Sequence, residues 1–201
     1  MSSEWINPVF FEKQTLSKLQ TEYFNAKPFK YLIIPQFLDS SLFKELNFEI
    51  SKLEFTPKSS DLFEFKQTKD FKQLTSNTLI KQFHDTFKSK KILSLFSTIT
   101  NEQYSDIDMH AMKFEYTNYL LCHDDLVEGR KTAFVLYLNE DWKKEDGGTL
   151  DLFDAKPEKI VTSIVPIQNT LILFQVSKES FHQVSEILSK KNRKTIGGWL
   201  L

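Results

Sequence analysis

Apolar residues recur with helical spacing in the first half of the chain and in short, closely spaced runs in the second. From about Phe11 to Ala26, Leu16, Leu19 and Tyr23 share one side, which predicts a surface helix. The run Tyr31-Leu-Ile-Ile-Pro35 is short, apolar and ended by proline, so it predicts a strand. Asp39 then offers an N-cap, and Leu42, Phe43, Leu46 and Ile50 form the buried stripe of a second helix. From Thr56 to Gln73 the chain is polar with scattered phenylalanines, and the pattern assigns no element there. A third helical stretch opens at Ser76 or Asn77. It turns Leu79, Ile80, Phe83, Phe87, Ile92, Leu95 and Phe96 inward, with a break near Ser89.

After Asn101 the character changes. Short aromatic and aliphatic runs fill 107–122, then Thr132–Leu138, Gly148–Phe153, Ile160–Val165, Thr170–Val176, Phe181–Ile187 and Thr195–Leu200. Turn-forming residues at 128–129, 146–148, 156–157 and 168–169 separate them. Strands at such intervals predict a sandwich or barrel. Helices first and strands afterwards predict an α+β chain. Residues 1–201 are read as one domain, with 1–105 mostly helical support and 106–201 forming the β core.

Composition narrows the classes. A hydrophobic content of 40% and a charged content of 26% describe a soluble globular chain. A formal net charge of -1 supplies no global field for nucleic acid or an acidic membrane, so nucleic acid is not the expected partner. With Cys122 as the single cysteine, no intramolecular disulfide can form. The first residues lack a basic and then apolar leader, and no apolar run approaches the ~18 residues of a membrane span. The expected setting is therefore a reducing compartment, cytosol or nucleus. The basic clusters at 88–91 and 190–194 are read as solvated faces, and the 19 phenylalanines as core packing.

The candidate chemistry centres on His123-Asp124-Asp125. In an extended strand, residues two apart face the same way, so His123 and Asp125 share a space and Asp124 points out. An imidazole and a carboxylate are two-thirds of the facial triad that holds Fe(II) in non-haem oxygenases, and His182 is the candidate third ligand. Such a triad leaves room for a bidentate 2-oxo acid and for O2. Arg193 can fork onto a carboxylate as lysine cannot. Thr195, two residues on, and Tyr137 can add hydroxyl donors, a set that suits the distal carboxylate of 2-oxoglutarate. Several other residues take plainer readings. The reversed pair Asp108 and His110 is not read as a site, and His84 is read as a surface residue. Gly147-Gly148 supplies a turn, Trp142 packs, Cys122 alternates away from the ligands, and Glu128 and Arg130 sit in a solvated loop.

The segments LLCHDDLVEGRKTAFVLYLNEDWKKEDGGTLDLF and FHQVSEILSKKNRKTIGGW resemble the catalytic domain of the 2-oxoglutarate- and Fe(II)-dependent prolyl hydroxylases that modify a small-subunit ribosomal protein. The match is close over roughly 115–199 and looser in the helical half. HDD, EGR, FVLYL, GGTLDLF, SFHQVSE and the R-x-T pattern together are far more specific than a bare HxD…H. The resemblance implies a double-stranded β-helix (jelly-roll) core with N-terminal supporting helices. It also implies His123, Asp125 and His182 as iron ligands, and Arg193 and Tyr137 as the 2-oxoglutarate anchor. The reaction it implies is hydroxylation of a proline in the ribosomal protein lining the decoding centre, yielding succinate and CO2, with ascorbate as a reductant. Members of that family continue into a second, degenerate β-helix domain, so this chain reads as a single-domain relative or as the catalytic part of one. Phe114 stands where relatives carry a tyrosine that touches the co-substrate, with Tyr116 two residues on. The rival readings are a same-fold oxygenase acting on alkylated nucleic acid and a non-catalytic binding module.

Overall fold

The computed structural model describes residues 5–74 and 78–201. The first helix, α1 (Lys13–Asn25), leads into strand β1 (Tyr31–Pro35) and then α2 (Ser40–Ser51). Asp39 caps α2 as its position predicts, its carboxylate accepting from the Ser41 and Leu42 amides at 2.9 and 3.1 Å. The unassigned polar stretch contains a hairpin, β2 (Thr56–Ser60) and β3 (Phe63–Gln67). Every residue of β2 is exposed, so no alternation marks it. The third helical stretch is two helices, α3 (Thr78–Phe87) and α4 (Lys90–Thr100), with Ser89 capping the second. Its expected start at Ser76 or Asn77 lies outside the described residues.

Eight further strands follow: β4 (Ile107–Phe114), β5 (Tyr119–His123), β6 (Thr132–Tyr137), β7 (Leu150–Phe153), β8 (Ile160–Ile164), β9 (Thr170–Gln175), β10 (His182–Val184) and β11 (Arg193–Leu200). They join one antiparallel sheet in the order β1-β9-β6-β11-β4-β3-β5-β10-β7-β8, with β2 paired to β3. β3 is the seam, pairing β4 through Lys66 and Gln67 and β5 through Phe63 and Glu64. The sheet curls at that seam. Phe174 of β9 meets His182 of β10 at 4.6 Å between rings, and Arg193 of β11 reaches the Gly148 carbonyl ahead of β7 at 2.8 Å. Curling two halves of an antiparallel sheet into contact makes a jelly roll.

The helices back the larger half. Phe37, Phe83, Phe87, Phe96 and Phe134 interlock there with centroid spacings between 4.6 and 6.2 Å. All five are essentially removed from water, and burying such a ring contributes roughly 1.5–3 kcal/mol. Strand alternation then sorts β4, with Ile107, Met109 and Ala111 packing toward the helices and His110, Met112 and Phe114 lining the inside of the curl. His84 belongs to the packed side of α3 and is buried, not exposed as expected. Its spacing from Ile80 and Phe87 places it among the inward residues.

Candidate active site

The two halves of the sheet enclose a cavity of about 330 Å³. His123 ends β5, and His182 opens β10 directly across the ladder from it. Their rings lie 4.2 Å apart, and His182 also rests edge-on against Phe174. Each imidazole is held from behind. His123 Nδ1 lies 2.8 Å from the Leu121 carbonyl, and His182 Nδ1 lies 2.8 Å from the Ser180 carbonyl. A carbonyl only accepts, so Nδ1 carries a proton on both rings and Nε2 is the nitrogen each turns toward Asp125 and the cavity. Asp125 sits between them, its two oxygens 3.5 Å from His123 Nε2 and 3.4 Å from His182 Nε2. One ligand atom from each of the three residues lies within 4.8 Å of the others.

Strand alternation is not what aligns His123 with Asp125, and that expectation is corrected. β5 stops at His123, and Asp125 takes a left-handed backbone with φ of 61°. Non-glycine residues rarely adopt that conformation, and where they do the strain is commonly tied to a site. Asp124 makes the turn, its carboxylate accepting from the Leu126 amide and its carbonyl from the Ser180 hydroxyl. That second bond ties the two ligand-bearing segments together. Burial disfavours the charged forms here. For Asp125 this is overcome by hydrogen bonds and charge from His123 and His182, which hold its carboxyl well below the usual carboxylate range. Burial lowers His123 too, but the Asp125 carboxylate, with the Leu121 carbonyl and Asp124, raises it above the ordinary histidine value.

The opposite end of the cavity is built on β11. Arg193 is buried, its Nε donating to the Gly148 carbonyl at 2.8 Å. Its guanidinium lies 5.1 Å from the Phe114 ring and 5.3 Å from the Tyr137 ring. No carboxylate pairs with it among the described residues. Burial lowers its pKa, with Tyr137 opposing. Tyr137 is fully buried, and its hydroxyl has no hydrogen-bond partner. Burial pushes it up to about 12 against the pull of the Arg193 charge, so it is a neutral donor at pH 7. Thr195 faces Tyr137 across the ladder and is also buried. A desolvated cation beside an orphaned hydroxyl calls for an anion. Gly148 shapes this end, since with φ of +64° an added Cβ would lie 2.9 Å from Arg193 Cδ. Phe114, on the rung opposite Arg193, contributes a ring and no hydroxyl.

A family model described as the 2OG-Fe(II) oxygenase superfamily matches residues 109–201. Over 182 residues the chain is 43% identical to the prolyl 3-hydroxylase OGFOD1 of Xenopus laevis, covering 87% of this chain and 35% of that protein. Residues 109–201 thus carry the 2-oxoglutarate- and Fe(II)-dependent oxygenase signature, and the chain is similar to such enzymes over most of its length. It is 27% identical over 212 residues to prolyl 3-hydroxylase sudestada1 of Drosophila melanogaster, covering 98% of this chain and 39% of that protein. It therefore spans a little over a third of the length of these curated relatives. A Pseudomonas putida prolyl-4-hydroxylase structure superposes with a TM-score of 0.74 at 19% identity, covering 90% of this chain and 97% of that one. A Trichoplax adhaerens prolyl hydroxylase, solved with a hypoxia inducible factor peptide, gives 0.71 at 21%, covering 96% and 94%. These likenesses show the jelly-roll fold.

The donor set fits this family's metal and co-substrate. Two imidazoles and one carboxylate on one face suit Fe(II), and the Arg193–Tyr137 end suits a carboxylate. Three residues play a larger part than their sequence context suggested. Arg130, expected in a solvated loop, stacks on Trp199 at 3.3 Å and comes within 3.8 Å of Asp125. His110 and Trp199 line the cavity, each with an unpartnered ring nitrogen. The signal available for Trp199 was period two from Arg193 along β11. Trp142 packs as expected, its indole donating to the Gly147 carbonyl. Cys122 is half-buried at the cavity edge.

Proposed function

We propose that residues 1–201 form a single catalytic unit that hydroxylates a prolyl residue of a protein, using Fe(II), 2-oxoglutarate and O2 and releasing succinate and CO2. The observation carrying this reading is one cavity with the His123–Asp125–His182 cluster at one end and, at the other, a buried Arg193 that no carboxylate among the described residues pairs with. In this assignment His123, Asp125 and His182 hold the iron. Arg193 forks onto the far carboxylate of 2-oxoglutarate, while Tyr137 and Thr195 donate to it. The bound metal and co-substrate supply the oxidising chemistry. The chain does the rest. The two backbone carbonyls keep both imidazoles in the Nδ1–H form, the Asp125 turn fixes the carboxylate between them, and Leu150, Phe174 and Val184 exclude water from the cavity.

The substrate we infer is the decoding-centre ribosomal protein of the small subunit, and the target carbon C3. The likeness to prolyl 3-hydroxylases supports the carbon, and the quoted sequence strings support the substrate. We place the reaction in the cytosol or nucleus, consistent with the single cysteine.

The test uses anaerobically purified protein with Fe(II), 2-oxoglutarate and a proline-containing peptide from that ribosomal protein. Oxygen is admitted, succinate is quantified and the peptide is analysed by mass and by chromatography against 3- and 4-hydroxyproline. One added oxygen at C3 is expected. Succinate without peptide oxidation would reject this substrate and direct the search to alkylated nucleic acid. No succinate would favour a binding module.

A further inference from the structure

His110 is unexplained by the metal cluster or by the Arg193 end. It stands on the cavity-facing side of β4 with Met112 and Phe114, on the opposite half of the sheet from the two histidine ligands. Its Nδ1 is buried and has no hydrogen-bond partner. The register explains why, because the residue across the ladder is Gly197, which offers no side chain. A Cβ at Gly197 would sit 3.0 Å from Met112 Cε, so the thioether covers that rung with an apolar group. The next cavity-facing position of β11 is Trp199, whose Nε1 is likewise unpartnered. The lining of the cavity as a whole is mostly apolar, with Leu62, Phe63, Phe65 and Leu120 on it, while Gln67 on the neighbouring strand and Arg130 over Trp199 are the polar groups on the His110 side. An apolar cavity with a few placed polar groups is how a binding site orients its ligand. A polar atom left unpaired in such a wall costs stability, which a ligand group can offset.

We propose that His110 is a substrate-contacting residue whose Nδ1–H donates to a backbone carbonyl of the peptide segment bearing the target proline. The inference rests on the prolyl hydroxylation reading above and names a contact within it. Proline has no N–H, so at the target residue the substrate backbone presents only acceptors, and the imidazole must be the donor. The ring is suited to this. Burial holds His110 below the ordinary histidine pKa, against Asp70, Asp108 and a hydrogen bond to the Thr68 backbone, so the ring is neutral and carries a single N–H. For this donation the ring would turn about χ2, which is soft for histidine, giving up the Thr68 contact and presenting its one N–H on Nδ1 to the cavity.

The experiment compares wild type, His110→Ala and His110→Asn with the ribosomal peptide, each variant first checked for an intact melting transition. Peptide KM, 2-oxoglutarate KM and the ratio of hydroxyproline to succinate are measured. His110→Ala is expected to raise peptide KM about tenfold, the size of one lost hydrogen bond. The 2-oxoglutarate KM stays unchanged, and succinate is formed in excess of hydroxyproline. His110→Asn keeps an amide N–H near the Nδ1 position and recovers most of the loss. An unchanged peptide KM and ratio in His110→Ala would overturn the proposal, as would equal losses in the Ala and Asn variants, which would mark a packing role. If the wild-type protein forms succinate but oxidises no proline, the substrate reading fails and this inference with it. A wild-type enzyme that hydroxylates while His110→Ala is silent rejects the inference alone.

Discussion

β4 and β11 pair over eight consecutive rungs without a shift, whereas β10 is three residues long and slips its register against β5. The two halves of the sheet thus differ in regularity, and they differ in chemistry. The long half is backed by interlocked phenylalanines and carries Arg193 and Tyr137 on strands paired without a register shift. The short half carries the candidate metal-binding cluster on strand ends and on a left-handed residue, Asp125. Three donors from two segments must converge on one point, which regular strand alternation does not do. An anchor for a carboxylate needs only a rigid base. Stability should therefore reside in one half and metal binding in the other, a separation that can be broken experimentally.

The largest effect is expected in the short half. His182→Ala should abolish Fe(II)-dependent succinate formation and remove most of the Fe(II) affinity, read by anaerobic titration. Urea unfolding of the metal-free protein should change little, because the site adds ligands rather than core. A variant that still bound iron with native affinity would dismiss His182 as a ligand. The converse experiment is Phe96→Ala. That ring is fully buried between Phe37 and Phe87, and its loss should cost about 3–5 kcal/mol in urea unfolding. The molecules that remain folded should bind iron normally. A loss of iron affinity in step with stability would show that the two halves are not separable.

Arg193→Lys probes the anchor. The forked guanidinium would be replaced by a point charge, losing a charge-assisted hydrogen bond of about 1.5–3 kcal/mol. The 2-oxoglutarate KM should rise roughly 10- to 100-fold with peptide KM unaffected. An unchanged 2-oxoglutarate KM would remove Arg193 from the co-substrate assignment.

The regular half was readable from the chain because burial there is one-sided. Asp39, Ser89 and the stripe from Ile80 to Phe96 each obey a periodic rule, and the helices follow. The irregular half was readable only through residue identity. His123, Asp125 and His182 could be named as candidate ligands, but the geometry that brings them together lies in a positive φ and a broken register, which leave no periodic trace. The hairpin β2–β3 escaped because β2 is exposed throughout and contains Pro57, so neither alternation nor propensity marks it. His110 escaped for a different reason. Its partnerless state depends on Gly197 across the ladder, a pairing between residues far apart in the chain.

Thr195→Val separates strand role from ligand role at a single position. Thr195 sits between Met112 and Tyr137 on neighbouring strands and is buried. Valine keeps the branched shape that suits a pleated, buried strand but deletes the hydroxyl. If that hydroxyl donates to the co-substrate carboxylate, one hydrogen bond to a charged acceptor of about 1.5–3 kcal/mol is lost, and the 2-oxoglutarate KM should rise roughly tenfold or more. The urea midpoint should hold or rise slightly, since a buried hydroxyl has been replaced by a methyl group. A KM that does not move would leave the carboxylate to Arg193 and Tyr137 and make Thr195 a strand residue only. A falling midpoint with an unchanged KM would instead assign the hydroxyl to holding β11 in the long half of the sheet.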